Sequence, residues 1–252
     1  MKRPILTASI ALNLLLLLLT VYLTQKMGYL GRLFTATVND NLALPTDTLS
    51  DQSQWQEAVQ YQQAVVDRQH LKVCLFGDSI SSGIENTLGN DTFNFAIPGM
   101  STISQIEQLQ RLSTANLNCD TAIVAIGTND AAYRTTPDQF EQNLNQIINQ
   151  LRQSFKVQHV VLLPAFYSTV QASRDPSLAG TLDRVQAVND RIESVGRSQN
   201  LPVLRDATAP LFAGLALRDD VTIDGVHLNN RGKQIYRSKL LQIVNLYRSK
   251  QK

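Results

Sequence analysis

Residues 74–80 read CLFGDSI, an apolar run that stops on Gly77-Asp78-Ser79, with Ser81 and Ser82 close behind. Gly, Asp and Ser are ordinary turn residues, so a strand leaving the core through a turn accounts for the stretch. A strand that presents a serine nucleophile accounts for it equally well. The two readings separate only when the stretch is set among the others of its kind.

Five short segments share its β-branched or aliphatic character: VCLFG (73–77), TFNFAI (92–97), TAIVAIG (121–127), HVVLLP (159–164) and LPVL (201–204). Each has the length and composition of a buried strand. Between the third and fourth lies the clearest helix. Thr136-Pro137-Asp138-Gln139 forms a capping box with proline at the first helical position, and Phe140, Leu144, Ile147, Ile148, Leu151 and Phe155 make one apolar stripe behind it. A second stripe, Tyr236, Leu240, Ile243, Val244 and Tyr247, closes the chain as a last helix. Strands alternating with helices predict a parallel sheet covered on both faces, with ligands at the carboxyl ends of its strands.

The residues just past those ends are Gly77-Asp78-Ser79-Ile80, Asn94 to Gly99, and Gly127-Thr128-Asn129-Asp130. A late loop adds Asp224-Gly225-Val226-His227. Acyl transfer to a serine needs a nucleophile, a base, a group that orients the base, and donors for the oxyanion. Ser79 fits the first role. Of the three histidines only His227 has a carboxylate in close sequence, Asp224, whereas His70 and His159 read as structural. Donors can come from the backbone of Ser79 and Gly99 and from the Asn129 amide, and glycine at position 99 lets the backbone approach a substrate closely.

In order, these four blocks resemble the signature blocks of the SGNH hydrolases, or GDSL esterases/lipases. The resemblance runs from about Leu71 to Tyr247. It implies a three-layer α/β/α sandwich on a five-stranded parallel, flavodoxin-like sheet. It also implies Ser79 as nucleophile, His227 as base, Asp224 as its orienter, and Ser79, Gly99 and Asn129 around the oxyanion. Isoleucine stands at position 80 where the family pattern has leucine, and Ser81 rules out a G-x-S-x-G elbow. Asp78 is expected to hold the turn through backbone N–H groups and, with Tyr133 and Arg134, to be a candidate for binding substrate, in a pocket lined also by the loop 166–178. The substrate expected is a carboxylic ester, an acetyl or acyl group on an envelope glycan or a lipid. An acyltransferase using the same serine is the alternative, and a catalytically inactive carbohydrate-binding relative a weaker one.

Composition restricts the remaining options. Net charge is +2 with no long charged block, so nucleic acid is not an expected partner. No C-x-x-C or clustered histidine suggests a metal, and no cofactor is expected. Residues 1–25 contain an uncharged run, Ile5 to Leu23, whose nineteen residues would span roughly 28 Å as a helix. It reads as an N-terminal transmembrane anchor rather than a cleaved signal, because no A-x-A-like site follows. The catalytic domain would then lie outside the cytoplasm, or be secreted if the segment is cut. Residues 26–70 read as a polar linker and a helix beside the domain, and residues 71–252 as the hydrolase domain. A chain starting near Ser53 is therefore expected to keep full activity. Cys74 and Cys119, on regular strands offset by several residues at ~3.3 Å each, are expected to be free thiols.

Overall fold

The computed structural model describes residues 44–249. The uncharged run Ile5 to Leu23 lies outside them, and among the described residues no helix is long and apolar enough to cross a membrane. Leu44 onward forms one compact unit, so the domain starts well before position 71. The helix expected beside it, α1 (Ser53–Val65), is part of it, with Trp55 and Val59 buried in the core.

Four parallel strands make the sheet: β1 (His70–Gly77), β2 (Thr92–Asn94), β3 (Asn118–Ala125) and β4 (His159–Leu162), in the order β2-β1-β3-β4. The fifth expected strand is not formed. Residues 201–204 contribute a single parallel bridge, Val203 to Leu162, beyond the edge at β4. Leu162 N–H donates to Pro202 O and Leu204 N–H to Leu162 O. Pro202 has no N–H to extend the ladder, and the chain turns into a 3-10 turn at Arg205–Ala207. An antiparallel ribbon of two short strands, β5 (Phe212–Ala213) and β6 (Ala216–Leu217), follows.

Helices cover both faces. Cys74, Phe76, Ala122, Val124, Val160 and Leu162 pack with α1, α3 (Thr102–Leu112), α5 (Pro137–Ser154) and α6 (Leu182–Ser198). Val73, Leu75, Ile123, Ala125 and Val161 pack on the other side with α2 (Ser79–Ser82) and α7 (Asn230–Ser249). The α5 entry matches its sequence, since the Thr136 hydroxyl accepts from Gln139 N–H and Pro137 opens the helix.

The cysteines are not free. Cys74 and Cys119 form a disulfide with their Cα atoms 6.3 Å apart. Regular strand geometry misses it because the in-and-out alternation breaks on both strands, while their pairing stays in step from His70–Asn118 to Gly77–Ala125. Lys72 and Val73 N–H both donate to Asp91 O, and Leu71 and Cys74 face the same side although three residues apart, so the alternation slips by one at Lys72. The alternation slips likewise on β3, where Cys119 and Ala122 share that face. Cys119 N–H leaves the ladder and donates to Phe155 O.

Candidate active site

In a sheet of order 2-1-3-4 the crossovers from β1 leave in opposite directions, and the crevice opens where β1 and β3 end side by side. Gly77 pairs with Ala125 at that point, so the Gly77 and Gly127 blocks share one edge. Ser79 is the first residue of α2 (Ser79–Ser82), half-buried, and its N–H in the first helical turn has no intrahelical acceptor. Asp78 caps that helix by accepting from Ile80 N–H at 3.0 Å. Ser81 points away from the surface and shares a buried 3.1 Å bond with the Tyr236 hydroxyl.

His227 arrives from the other side of the sequence. Its Nε2 is 3.1 Å from Ser79 Oγ and its Nδ1 is 2.7 Å from Asp224 Oδ2. Asp224 Oδ1 also accepts from the N–H groups of Val226 and His227, at 2.9 and 2.8 Å. The loop closes because Gly225 adopts φ +88°, where a Cβ would come within 2.7 Å of the Thr169 hydroxyl. Partial burial opposes the charge on Asp224, but the bonds from His227 and Val226 outweigh it and hold the carboxyl down at about 2. An ionised Asp224 fixes the proton on Nδ1 and leaves Nε2 able to accept from the serine hydroxyl. Both side chains are 48% exposed.

Asn129 is half-buried in the short helix α4 (Thr128–Ala132), and its Nδ2 donates to Met100 O at 2.8 Å. That bond uses one of two amide hydrogens and leaves the second for another acceptor. Gly99 has φ +82°, a conformation that favours glycine, and its carbonyl accepts from the Tyr133 hydroxyl at 3.3 Å. Tyr133 is thus tied to the Gly99 turn. Arg134 is exposed, with its backbone N–H on Pro45 O and its Nε on Leu44 O. His70 pairs with Asp120 and His159 packs against the Tyr247 ring, both apart from this edge.

All five residues, Ser79, Gly99, Asn129, Asp224 and His227, fall within residues 75–235, which match the model of the GDSL-like Lipase/Acylhydrolase family. The chain belongs to that family. It is an SGNH hydrolase, a serine hydrolase of ester bonds. No curated protein matches it. Solved structures share the fold at low identity. A GDSL-like lipase from Bacteroides thetaiotaomicron is 20% identical with a TM-score of 0.59 over 75% of this chain and 96% of that one. A lipase/acylhydrolase from Enterococcus faecalis gives 22%, 0.54, 69% and 95%. An acetylxylan esterase from Geobacillus stearothermophilus gives 15%, 0.51, 69% and 94%.

The motif residues beside these five have partners that the motifs do not reveal. Asp130 is fully buried and accepts from both the N–H and the hydroxyl of Thr102. Burial pushes its carboxyl up to about 7 against those bonds. Asp78 is likewise raised by burial, to about 6, with the bonds from Ile80 N–H and the Thr128 hydroxyl and the nearby His227 pulling it back. Thr128 Oγ1 also accepts from Phe166 N–H, which draws the 166–178 loop to the site. There Thr128, Asn129, Phe166, Leu178 and Val226 line a small cavity of about 20 Å³. A larger cavity of about 260 Å³, behind Tyr167 and Phe212, holds none of Ser79, Asn129 or His227, so size does not mark the site.

Proposed function

We propose that this SGNH hydrolase cleaves a short-chain carboxylic ester with Ser79 as nucleophile, His227 as base and Asp224 as its orienter. The observation that carries the reading is the unbroken chain from Ser79 Oγ to His227 Nε2 at 3.1 Å and from Nδ1 to Asp224 Oδ2 at 2.7 Å. Ser79 Oγ attacks the ester carbonyl while its proton passes to Nε2, and the imidazolium so formed is stabilised by Asp224. Charge on the former carbonyl oxygen is met by N–H groups of Ser79, Gly99 and Asn129. Collapse expels the alcohol, which takes the proton from Nε2. Water then repeats the sequence on the acyl-enzyme and releases the acid.

The small cavity beside Asn129 is walled by Phe166, Leu178 and Val226. The acetylxylan esterase among the structural relatives supports an acetyl ester on a glycan as the substrate. Location outside the cytoplasm is part of the proposal. The apolar run Ile5 to Leu23 supports it, as does the Cys74–Cys119 bond, since disulfides persist in oxidising compartments.

A chain-length series of chromogenic esters on the full chain, with Ser79→Ala as control, tests the reading. Turnover should be highest for acetyl and fall with each added carbon. A preference for long acyl chains, or turnover retained in Ser79→Ala, would refute it. Adding a sugar acceptor separates hydrolysis, which yields free acid, from transfer, which yields acylated sugar. Fractionating cells that express the full chain tests the location, and recovery of the protein in the cytosol would end that part.

A further inference from the structure

The segment just before the domain's first long helix lies outside the residues matched to the family, and a sequence reading makes it a tether. Its hydrogen bonds describe something else. Asp47 Oδ2 accepts from the hydroxyls of Ser101 and Ser104 and from Ser104 N–H, while Oδ1 accepts from Leu49 N–H at 2.8 Å. Leu49 lies against Gly99, its δ carbons 3.6 Å from where a Cβ would stand. Pro45 O accepts from Arg134 N–H at 3.0 Å and Leu44 O from the Arg134 side chain. Further along, the buried Trp55 indole donates to Met100 Sδ at 3.1 Å.

The contacts to the rest of the domain fall on two segments, 99–104, which leads into the first turn of α3, and 129–134, which covers most of α4 and the residues after it, and the two segments are already joined. Asn129 bonds to Met100 O, Tyr133 to Gly99 O and Asp130 to Thr102. Met100 is the critical residue, because its backbone orients the Asn129 amide while its sulfur is held by Trp55. Catalysis by preorganised donors requires them to be in place before charge develops, and a displacement near 1 Å can cost about 10²-fold in rate.

We infer that residues 44–55 form a clamp that sets the geometry of the oxyanion donors, with Asp47 as a positioning residue acting through Ser101, Ser104 and the Gly99 turn. This rests on the proposed roles of Gly99 and Asn129. The clamp has its consequence for truncation as well: removing everything before Ser53 takes away Asp47 and Leu49, so such a chain loses activity rather than keeping it.

The test uses the full chain in detergent with Asp47→Ala and Asp47→Asn beside wild type and Ser79→Ala. Four quantities are read: kcat and KM on a nitrophenyl acetate, melting temperature, and hydrogen exchange in peptides covering residues 96–106. Asp47→Ala should lower kcat at least about tenfold with KM within about twofold, and should speed exchange in those peptides. Asn keeps one acceptor oxygen and should restore most of the rate. A structural role alone would lower the melting temperature and leave kcat per folded enzyme unchanged, which overturns the inference, as does unchanged exchange in 96–106. If wild type and Ser79→Ala cleave the ester equally, the functional reading itself fails and the clamp falls with it. If only Ser79→Ala is inactive while Asp47→Ala matches wild type, the clamp alone is wrong.

Discussion

Replacing Cys74 and Cys119 together by alanine removes a cross-link between residues 45 apart in sequence. In the chain-entropy description a loop of that size restricts the unfolded ensemble by about 4 kcal/mol at 25 °C. Both sulfurs are buried, so the double substitution also loses packing, on the order of 1 kcal/mol more. For a domain of this length each kcal/mol shifts the melting temperature by roughly 2–4 °C, so the double variant should melt about 10–20 °C below the oxidised protein. Wild type unfolded in reductant isolates the cross-link, because it keeps both sulfur atoms, and should melt about 8–16 °C lower than the oxidised form. Differential scanning fluorimetry with and without reductant measures both. Two alkylatable thiols in denatured, unreduced protein, or reduced and oxidised proteins melting within about 3 °C, would refute the bond and the slipped alternation that turns the two cysteines to one face.

Ser79→Ala and His227→Ala should each remove nearly all turnover, and the double variant should be no worse than either, because nucleophile and base act as a unit; additive losses in a steady-state assay would contradict it. Asn129→Ala should lower kcat by about 10² to 10³ with KM little changed. Asn129→Asp should be at least as slow, since it loses the donor and sets a carboxylate against Met100 O, and near-normal turnover would remove Asn129 from the site. Asp130, raised to about 7 by burial, binds its proton more tightly folded than unfolded. Its contribution to stability is therefore complete below about pH 4 and lost progressively as pH rises to about 7, on the order of 4 kcal/mol in all. Asp130→Asn should flatten that fall in urea midpoints taken between about pH 5 and about pH 8.

The strand ends were legible because a parallel sheet collects the residues that follow its strands at one edge, whatever lies between them in sequence. Gly77, Gly127 and their followers could be aligned on that rule alone, and Asp224 lay close enough to His227 for one turn to join them. Three things were not legible. The slip at Lys72 goes with two N–H groups sharing Asp91 O, a tertiary bond with no local motif, and it turns Cys74 to the face that Cys119 shares. LPVL has strand composition, but Pro202 and the turn at Arg205 limit it to one bridge. Asp47 stands among other polar residues where nothing distinguishes a buttress from a solvated tether, and only the position of Ser101 and Ser104 gives it partners.

His227 and Asp224 are each about half open to solvent, and that openness bears on the fate of the acyl-enzyme. A sealed site chooses its second nucleophile by exclusion, whereas an open one leaves the choice to whatever arrives most often in a reactive pose. Bulk water supplies that at a fixed rate. A sugar hydroxyl on a chain already docked beside Ser79 arrives at an effective concentration set by the docking. If such an acceptor docks there, the ratio of acylated sugar to free acid rises with how well it binds, and the sugar-acceptor assay reads that ratio directly.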